Sequence, residues 1–420
     1  MGIKTQFPGL LRQFKIWISR RFRSVVRPLR TLQFHFLRSH HALLSLLPYI
    51  GFHSARFGPP KGLKSVAQIV SSPCAPVAVH SLAVSQTIHR RLLPQSVHAT
   101  AFAGFAEAGI VSTEWIFVLV GGPLRCSGRE SFAFISDADE VIDDISFDIW
   151  GNKYHCIFRQ LAPCSRIHFS DTVCAVLEPQ SATFGHWLLE MVPRLALAKK
   201  QAALFGNDVR YLISHRYARH ELETFATLGI PLDRIERWES NRCYYAAHWI
   251  IPSFTSKGAL NITRTSIEVL RDCFLPLDSP HVPRRKLYLT RKNDPFRRVV
   301  NEAEVLRLLT EHGFESVEPA TLSIREQAAL FASAAAVVSV ISSGLVNLVF
   351  MSPGAKVIEI FPESLFLPIQ WSLCDACGLE YYYFFEQGFQ PLEIASPGNR
   401  YADVKVSLDA LRKTLELAHL

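Results

Sequence analysis

One short stretch of the sequence, residues 337–362, predicts a strand, a turn, a short helix and a second strand in immediate succession. Residues 337–341 (VVSVI) are mostly β-branched, which is typical of a buried strand. Three small residues (SSG) then predict a turn, and residues 345–351 predict a short helix that the following Pro-Gly pair ends. Residues 356–361 (KVIEIF) predict the next buried strand. The stretch therefore favours an α/β fold with parallel strands.

The turn in this stretch is suited to a phosphate group. It consists of Ser342, Ser343 and Gly344, and Asn347 lies in the first turns of the helix that follows. A helix start offers unpaired N–H groups and the positive end of the helix dipole, and small residues allow a ligand to approach the backbone. Glu359, in the next strand, is placed to accept hydrogen bonds from ribose hydroxyls. The alternative is an ordinary strand–turn–helix unit that binds no ligand.

Positive charge is concentrated at the start of the chain. The net charge is +8, but residues 1–106 contain 14 Lys and Arg and no acidic residue, which leaves 31 basic and 37 acidic residues in the remainder. Residues 4–47 carry aromatic and aliphatic side chains at helical spacing among these cations, which indicates a basic segment that lies on an anionic membrane surface without spanning it. A solvated basic arm and an organelle transit peptide remain alternatives. No nucleic-acid-binding motif accompanies the charge.

The cysteines indicate a reduced chain. There are nine, and Cys374 and Cys377 form the single CxxC pair. A structural zinc site needs four ligands, so one pair predicts no metal. A cytoplasmic protein is the expectation, with peripheral association at the inner membrane through the basic segment.

A pair of acidic residues offers a different chemistry. Asp137 and Asp139 form a DxD sequence after a predicted strand, and in one large class of glycosyltransferases such a pair holds a divalent ion against a diphosphate. The common alternative is a solvated turn.

Residues 183–200 (TFGHWLLEMVPRLALAKK) predict a helix with a polar face. His186, Glu190 and Arg194 are spaced by four residues and lie on that face. Pro193 removes a helical hydrogen bond and predicts a kink. A histidine one turn from a carboxylate forms either a general-base pair or a structural contact, and the spacing does not choose between them.

The second half of the chain repeats the pattern of strand and helix. Residues 286–361 predict β-α-β-α-β-α-β, which implies a parallel sheet covered on both faces. Four cations follow the first of these strands and suit either a diphosphate or solvent: Arg291, Lys292, Arg297 and Arg298. Further strands are predicted at residues 115–120, 131–136, 209–213, 248–251, 287–290 and 314–317, and further helices at 217–227, within 260–280, and starting at Asn301 and Ser323.

Several motifs together resemble the family 61 glycosyltransferases, which are described in bacteria as capsular polysaccharide biosynthesis proteins. The resemblance covers roughly residues 110–365. It is carried, in order, by FGHWLLEMVPRL at 184–195, YLTR at 288–291 with Arg298 and Asn301-Glu302, Glu326-Gln327, GLVN at 344–347, Pro353-Gly354 and VIE at 357–359.

The resemblance implies a GT-B architecture, in which two Rossmann-like domains face each other across a cleft. It implies metal-independent, inverting transfer of a sugar from a nucleotide donor, usually a UDP-sugar, to a polysaccharide or glycolipid acceptor. His186 and Glu190 would be catalytic, and Trp187 and Arg194 would lie on the acceptor side. The donor-binding residues it implies are Arg291, Arg298, Asn301, Ser342, Ser343, Gly344, Asn347 and Glu359. No cofactor and no nucleic acid are implied.

The predicted domains are a basic arm at 1–60, an acceptor domain at 61–258, a donor domain at 259–400 and a C-terminal helix at 401–420. One departure from the family pattern stands at the central turn, where Ile341 replaces a histidine and Val346 a threonine. This departure supports an alternative function, a non-catalytic subunit that binds nucleotides or carbohydrates in a polysaccharide assembly complex.

Overall fold

A computed structural model describes residues 59–420 of the chain with several gaps. The residues left out within this range are 73–75, 98–103, 106–107, 114, 129–130, 149–150, 160–164, 180, 206–208, 241, 257–261, 276–282, 363–364 and 387–400. The predicted membrane-surface segment at 4–47 lies outside the described residues, and so does the predicted domain boundary at 258. Among the described helices, none combines the length and apolar character needed to cross a membrane.

The described residues form a mixed α/β structure, as the sequence predicts. The strands are β1 Gly62–Lys64, β2 Val77–Ala83, β3 Thr87–His89, β4 Gln95–Ser96, β5 Ile110–Ser112, β6 Ile116–Gly121, β7 Leu124–Ser127, β8 Ala133–Ser136, β9 Glu140–Ile142, β10 Ser165–Phe169, β11 Thr172–Val176, β12 Val209–Ile213, β13 Ile235–Arg237, β14 Arg242–Ala246, β15 Trp249–Pro252, β16 Arg285–Leu289, β17 Phe314–Val317, β18 Ala334–Val340, β19 Lys356–Phe361 and β20 Glu380–Phe385. The α-helices are α1 Val66–Val70, α2 Phe184–His186, α3 Val192–Ala202, α4 Arg219–Leu228, α5 Arg264–Phe274, α6 Glu302–Glu311, α7 Ile324–Ala332, α8 Ile369–Cys377 and α9 Leu408–Leu417.

The C-terminal half contains the parallel sheet that the sequence predicts. Its strand order is β17-β16-β18-β19-β20-β4, and every neighbouring pair is parallel. Ser323 and Glu326 form the capping box at the start of α7, since each side chain accepts from the backbone N–H of the other residue. Between β18 and β19, where the sequence predicts a short helix at residues 345–351, the chain forms a 3-10 helix, Ser343–Phe350.

The N-terminal half differs from the single parallel sheet expected of a Rossmann-like domain. It contains two six-stranded sheets, β1-β9-β8-β7-β14-β10 and β13-β12-β11-β15-β6-β2, and each mixes parallel with antiparallel pairs. Strands β13, β12, β11 and β15 are mutually parallel, and helices α3 and α4 connect β11 to β12 and β12 to β13. Apolar side chains, among them Phe117, Phe134 and Trp249, pack between the two sheets.

The two halves share one apolar core. It extends from β11 and β12 through α3 and α5 to the parallel sheet of the C-terminal half. Strand β4 comes from the range predicted for the first domain but pairs with β20, at the edge of the C-terminal sheet. Arg271 on α5 donates to the carbonyls of Val349 and Met351 at 2.7 and 2.9 Å, which joins the connecting helix to the 3-10 helix.

Candidate active site

The C-terminal sheet changes the direction of its connections between β16 and β18. The chain runs from β16 to its neighbour β17 on one side, and then returns to β18 on the other side of β16. In open α/β sheets the loops diverge at such a point and leave a crevice outside the carboxyl ends of the strands, where ligands bind. Here those loops begin with Thr290 and Arg291 after β16, and with Ser342 after β18.

A cavity of about 310 Å³ occupies this crevice. The C-terminal half supplies Arg291, Ser342, Ser343 and Gly344 to its wall, so four of the predicted donor-binding residues meet there. The N-terminal half closes the opposite side. The lining residues from this half are Phe184, two residues before His186, and Arg219, His220 and Glu223 on α4.

The turn from Ser342 to Gly344 is held from behind by Asn347. Its amide Nδ2 donates to the side-chain oxygen of Gln327 at 2.7 Å and to the carbonyl of Gly344 at 2.9 Å. Asn347 is fully buried, whereas Gln327 lines the cavity. Asn347 therefore fixes the shape of the turn rather than forming the cavity wall.

Arg291 is a nearly buried cation on the cavity wall. It pairs with Asp294 at 3.1 Å and donates to the carbonyls of Phe296 and Arg297. Desolvation lowers the pKa of its guanidinium, and the charge of Asp294 opposes this effect. Arg291 thus holds the loop that follows β16 in place and brings positive charge to the cavity.

Two predicted donor-binding residues lie elsewhere. The Arg298 guanidinium pairs with Asp403 at 3.0 Å, and its backbone N–H also donates to that carboxylate. Asn301 donates to the carbonyl of Val406 and accepts from its N–H, both at 2.9 Å. Neither residue is part of the cavity wall. Both residues bind the segment that precedes α9. No local pattern in the sequence predicts that this segment lies beside them.

The ribose contact suggested for Glu359 is not supported by its position. Glu359 is fully buried in β19, outside the cavity wall, and its carboxyl accepts from the Tyr381 hydroxyl at 2.5 Å. Burial raises the pKa of Glu359 to about 8, although the hydrogen bond from Tyr381 acts to lower it. The carboxyl lies in the interior because alternate side chains of this strand face the two covered sides of the sheet.

The helix predicted at 183–200 has an unexpected turn in the middle. Residues Trp187–Met191 form a π-helix between α2 and α3, and the N–H of Val192 donates to the carbonyl of Trp187. Pro193 follows immediately, within the first turn of α3, where its missing N–H is tolerated. The wider turn lies where the sequence predicts a kink. Single π turns are common at functional sites.

His186 and Glu190 form a close pair across this π turn. The His186 Nδ1 and Glu190 Oε2 atoms are 2.7 Å apart. The Glu190 side chain is 2% exposed and that of His186 is 24% exposed. Burial acts to lower the pKa of His186, but the hydrogen bond and charge of Glu190, with the charge of Glu178, outweigh it and raise that pKa.

The backbone that leads to this pair lies directly against the turn of the C-terminal half. A Cβ atom placed on Gly185 would be 3.4 Å from a methyl group of Val346 and 3.8 Å from the Ser343 side chain. The backbone before His186 therefore approaches Ser343 closely, and a small residue suits this contact. The structure thus brings the predicted general-base pair next to the predicted donor turn.

With this geometry established, comparison with known families gives one match. Residues 184–358 match the family model Glycosyltransferase 61. The resemblance inferred from the sequence is thereby confirmed over this range, and it supports glycosyltransferase activity. The matched range begins at the Phe184 wall of the cavity and ends within β19. No curated protein matches the sequence.

The acceptor-side residues suggested for such a glycosyltransferase are structural in this arrangement. Trp187 is fully buried and donates from Nε1 to the Thr224 hydroxyl at 2.9 Å. Arg194 is also fully buried, donates to the Leu177 carbonyl at 2.7 Å and lies over the Phe254 ring. Desolvation lowers the pKa of Arg194 to about 10 against the charges of nearby carboxylates. Neither side chain is accessible to an acceptor.

The DxD sequence lies on a hairpin of the first sheet. Asp139, in the turn between β8 and β9, is buried and paired with Arg125. Asp137 is exposed. The pair is not part of the cavity wall, and the Asp139 carboxylate already has a cationic partner.

Sequence reasoning missed the residues of α4 that close the cavity. Arg219 pairs with Glu223 at 2.9 Å and donates to the Thr321 carbonyl, while Glu223 accepts from the N–H of Ile324. These contacts join α4 to the start of α7. No local pattern marks them as site residues, because their role depends on a contact between the two halves of the chain.

Proposed function

We propose that this protein is an inverting, metal-independent glycosyltransferase of the GT-B type. It transfers a sugar from a nucleotide donor, with a UDP-sugar as the leading candidate, to a glycan or glycolipid acceptor. One observation carries the proposal: Gly185, next to the His186–Glu190 pair in the chain, packs against Ser343 in the wall of the switch-point cavity. A base and a phosphate-binding turn at one place are what glycosyl transfer from a nucleotide requires.

The donor occupies the cavity between β16 and β18. Its volume of about 310 Å³ lies at the lower end of the range of small-molecule sites, about 300–1,000 Å³. The backbone N–H groups at Ser343 and Gly344 and the Arg291 guanidinium face the negative charge that develops on the leaving diphosphate. Fixed donors and cations of this kind stabilise a leaving group without a metal ion.

His186 acts as the general base for the acceptor hydroxyl. Glu190 fixes the ring through Nδ1, which leaves Nε2 for the hydroxyl. The raised pKa makes the neutral imidazole a stronger base, at the cost of requiring a higher pH to deprotonate it. A base on the acceptor and a single displacement at the anomeric carbon together invert the configuration of that carbon.

The cellular setting that fits this activity is the assembly of bacterial surface polysaccharides at the cytoplasmic face of the inner membrane. The family match and the acid-free first 106 residues support this setting. The basic segment at residues 4–47 would hold the enzyme near anionic lipids and a glycolipid acceptor.

A second candidate, a non-catalytic nucleotide- or carbohydrate-binding subunit, is favoured by Ile341, which stands where the family has a histidine. Such a subunit would bind the nucleotide without consuming a donor sugar. The two candidates therefore differ in turnover.

The test is a panel of nucleotide sugars incubated with the full-length protein and mixed glycan acceptors, with and without EDTA. We expect transfer from one donor that resists EDTA and gives the opposite anomeric configuration by NMR. His186→Gln should abolish transfer but keep nucleotide binding, and Glu190→Gln should shift the rising limb of the pH–rate profile to lower pH. Nucleotide binding without transfer from any donor would favour the binding subunit, and retention of configuration would contradict the mechanism.

A further inference from the structure

A second cavity, of about 510 Å³, lies at the carboxyl ends of three parallel strands in the N-terminal half. Its wall follows β11 with Glu178, Ser181 and Ala182, β12 with His215 and Arg216, and β13 with Trp238 and Glu239. Like the first cavity, it stands where parallel strands end and their loops offer polar groups to a ligand.

The wall of this cavity contains buried polar atoms that lack partners. His215 is 3% exposed, and among the described residues neither of its ring nitrogens has a hydrogen-bond partner. The indole Nε1 of Trp238 is buried and also lacks a partner there. Tyr217 and Phe225 pack edge-on against the His215 ring, and neither is its hydrogen-bond partner. Buried polar groups are normally satisfied in native proteins, and a ligand in the cavity would satisfy these.

The wall carries two carboxylates, Glu178 and Glu239, and two guanidiniums, Arg216 and Arg237. Glu239 is paired with Arg242 at 2.8 Å, and the charge of Glu178 acts on the buried Arg194. Arg216 and Arg237 also line the cavity, both are exposed, and within the described residues neither guanidinium has an ion-pair partner. Burial lowers the pKa of His215; the charge of Glu221 opposes this effect and that of Arg237 adds to it, so this ring is a neutral hydrogen-bonding group. The cavity therefore offers two guanidiniums without ion-pair partners among the described residues, beside neutral donors and acceptors.

The segment that leads to the base borders both cavities. Ser181 and Ala182 line the second cavity, while Phe184, two residues later, lines the first. His186 follows, and Glu178 on the second cavity wall contributes to raising its pKa. A ligand in the second cavity would therefore contact the segment that leads to the proposed base.

We propose that the second cavity binds the acceptor and that this acceptor is an acidic sugar, with its carboxylate or phosphate group held by Arg216 and Arg237. His215 and the Trp238 indole hydrogen-bond to its hydroxyl groups, and the Trp238 ring packs against its apolar face. This inference rests on the proposed transferase function, but it is tested by binding in the absence of a donor.

The experiment is isothermal titration of the full-length protein with three probes of similar size: a glucuronate-containing disaccharide, glucose 1-phosphate and the neutral disaccharide cellobiose. We expect one of the two acidic probes to bind at least about tenfold more tightly than cellobiose, because a hydrogen bond to a charged group favours binding by this order. The acidic probe that binds more tightly identifies carboxylate or phosphate as the recognised group.

Arg216→Gln and Arg237→Gln should each weaken binding of that probe by about tenfold. Arg307→Gln, on the exposed face of α6, is the matched control and should leave it unchanged. His215→Phe should weaken binding while the melting temperature stays equal or rises, since the variant removes two unsatisfied nitrogens. A purely structural histidine would instead lose stability on substitution.

Equal affinity for acidic and neutral probes, no binding of any probe, or unchanged affinity in both arginine variants would overturn the inference. Titration with UDP separates it from the proposed function. UDP binding without acidic-probe binding refutes this acceptor site alone, and acidic-probe binding without UDP binding supports it while refuting the donor site.

Discussion

Glu359 allows the sharpest test of the C-terminal core, because its carboxyl is buried without a cation. Its Oε2 accepts from the Tyr381 hydroxyl at 2.5 Å, and its Oε1 has no partner among the described residues. Burial raises the pKa of this carboxyl from the ordinary value of 4.5 to about 8. The folded protein therefore holds a proton at neutral pH that the unfolded chain releases.

The pH dependence of stability follows from this difference. Between the two pKa values the folded state binds one more proton than the unfolded state, so the free energy of unfolding falls by about 1.4 kcal/mol for each pH unit gained. The contribution is complete below about pH 4.5, declines as the pH rises, and is lost above about pH 8. From pH 5.5 to 7.5 the loss amounts to about 3 kcal/mol. Glu359→Gln carries no titrating proton and escapes this loss.

The assay is urea unfolding followed by tryptophan fluorescence at pH 5.5, 6.5 and 7.5. We expect the stability of Glu359→Gln relative to the natural protein to increase by about 3 kcal/mol over this range. The difference in stability at any single pH also includes the cost of burying the new amide. The change of this difference with pH is therefore the quantity to compare. Glu311→Gln, on the exposed side of α6, is the control and should give a flat difference. A flat difference for Glu359→Gln would mean that the folded carboxyl ionises normally, which would refute the assignment of a dry, neutral carboxyl.

Three further substitutions test individual contacts. Arg194→Leu leaves the Leu177 carbonyl without its donor, so urea unfolding should show a loss of roughly 2–4 kcal/mol, against little change for exposed Arg307→Leu. Asn347→Leu removes the hydrogen bonds to Gln327 and Gly344 that fix the turn at Ser342. Titration should show weaker UDP binding, and the free energy of unfolding should fall by roughly 1–3 kcal/mol. Ile341→His buries an imidazole in an apolar site and should lower the melting temperature without tightening UDP binding, whereas tighter binding at equal stability would contradict this placement.

Local sequence patterns were sufficient for strands β16 to β19 of the C-terminal sheet. Residues 314–317 form a strand with the predicted bounds, as do residues 209–213 in the N-terminal half, and the Ser323 capping box forms as expected. The predicted alternation over 286–361 is present as a parallel sheet. These features depend on period, β-branching and capping residues, which act over a few neighbouring positions.

Contacts between distant segments could not be predicted in this way. Arg298 was expected to face a diphosphate because it follows a strand, but Asp403 neutralises it from the C-terminal segment. Strand β4 pairs with β20 across most of the chain, and the mixed sheets of the N-terminal half also depend on long-range pairing. The π turn before Pro193 depends on which of two helical hydrogen-bond patterns forms, and residue spacing does not determine this. Spacing does predict that His186 and Glu190 are neighbours, but not the distance between their side chains.

The position of Ile341 bears on whether the chain is a transferase or a binding subunit. Ile341 is buried in the apolar core at the end of β18 and is not part of the cavity wall. The polar groups that face the cavity come from the following turn and from Arg291, and none of them depends on the side chain at position 341. The His186–Glu190 pair is also present. Burying the Glu190 carboxylate behind the partly exposed His186 ring costs folding free energy, and a subunit that only binds nucleotides would gain nothing from this arrangement. The residue at position 341 therefore differs from the family pattern while the groups proposed for transfer stay in place, which favours the proposed transferase over the binding subunit.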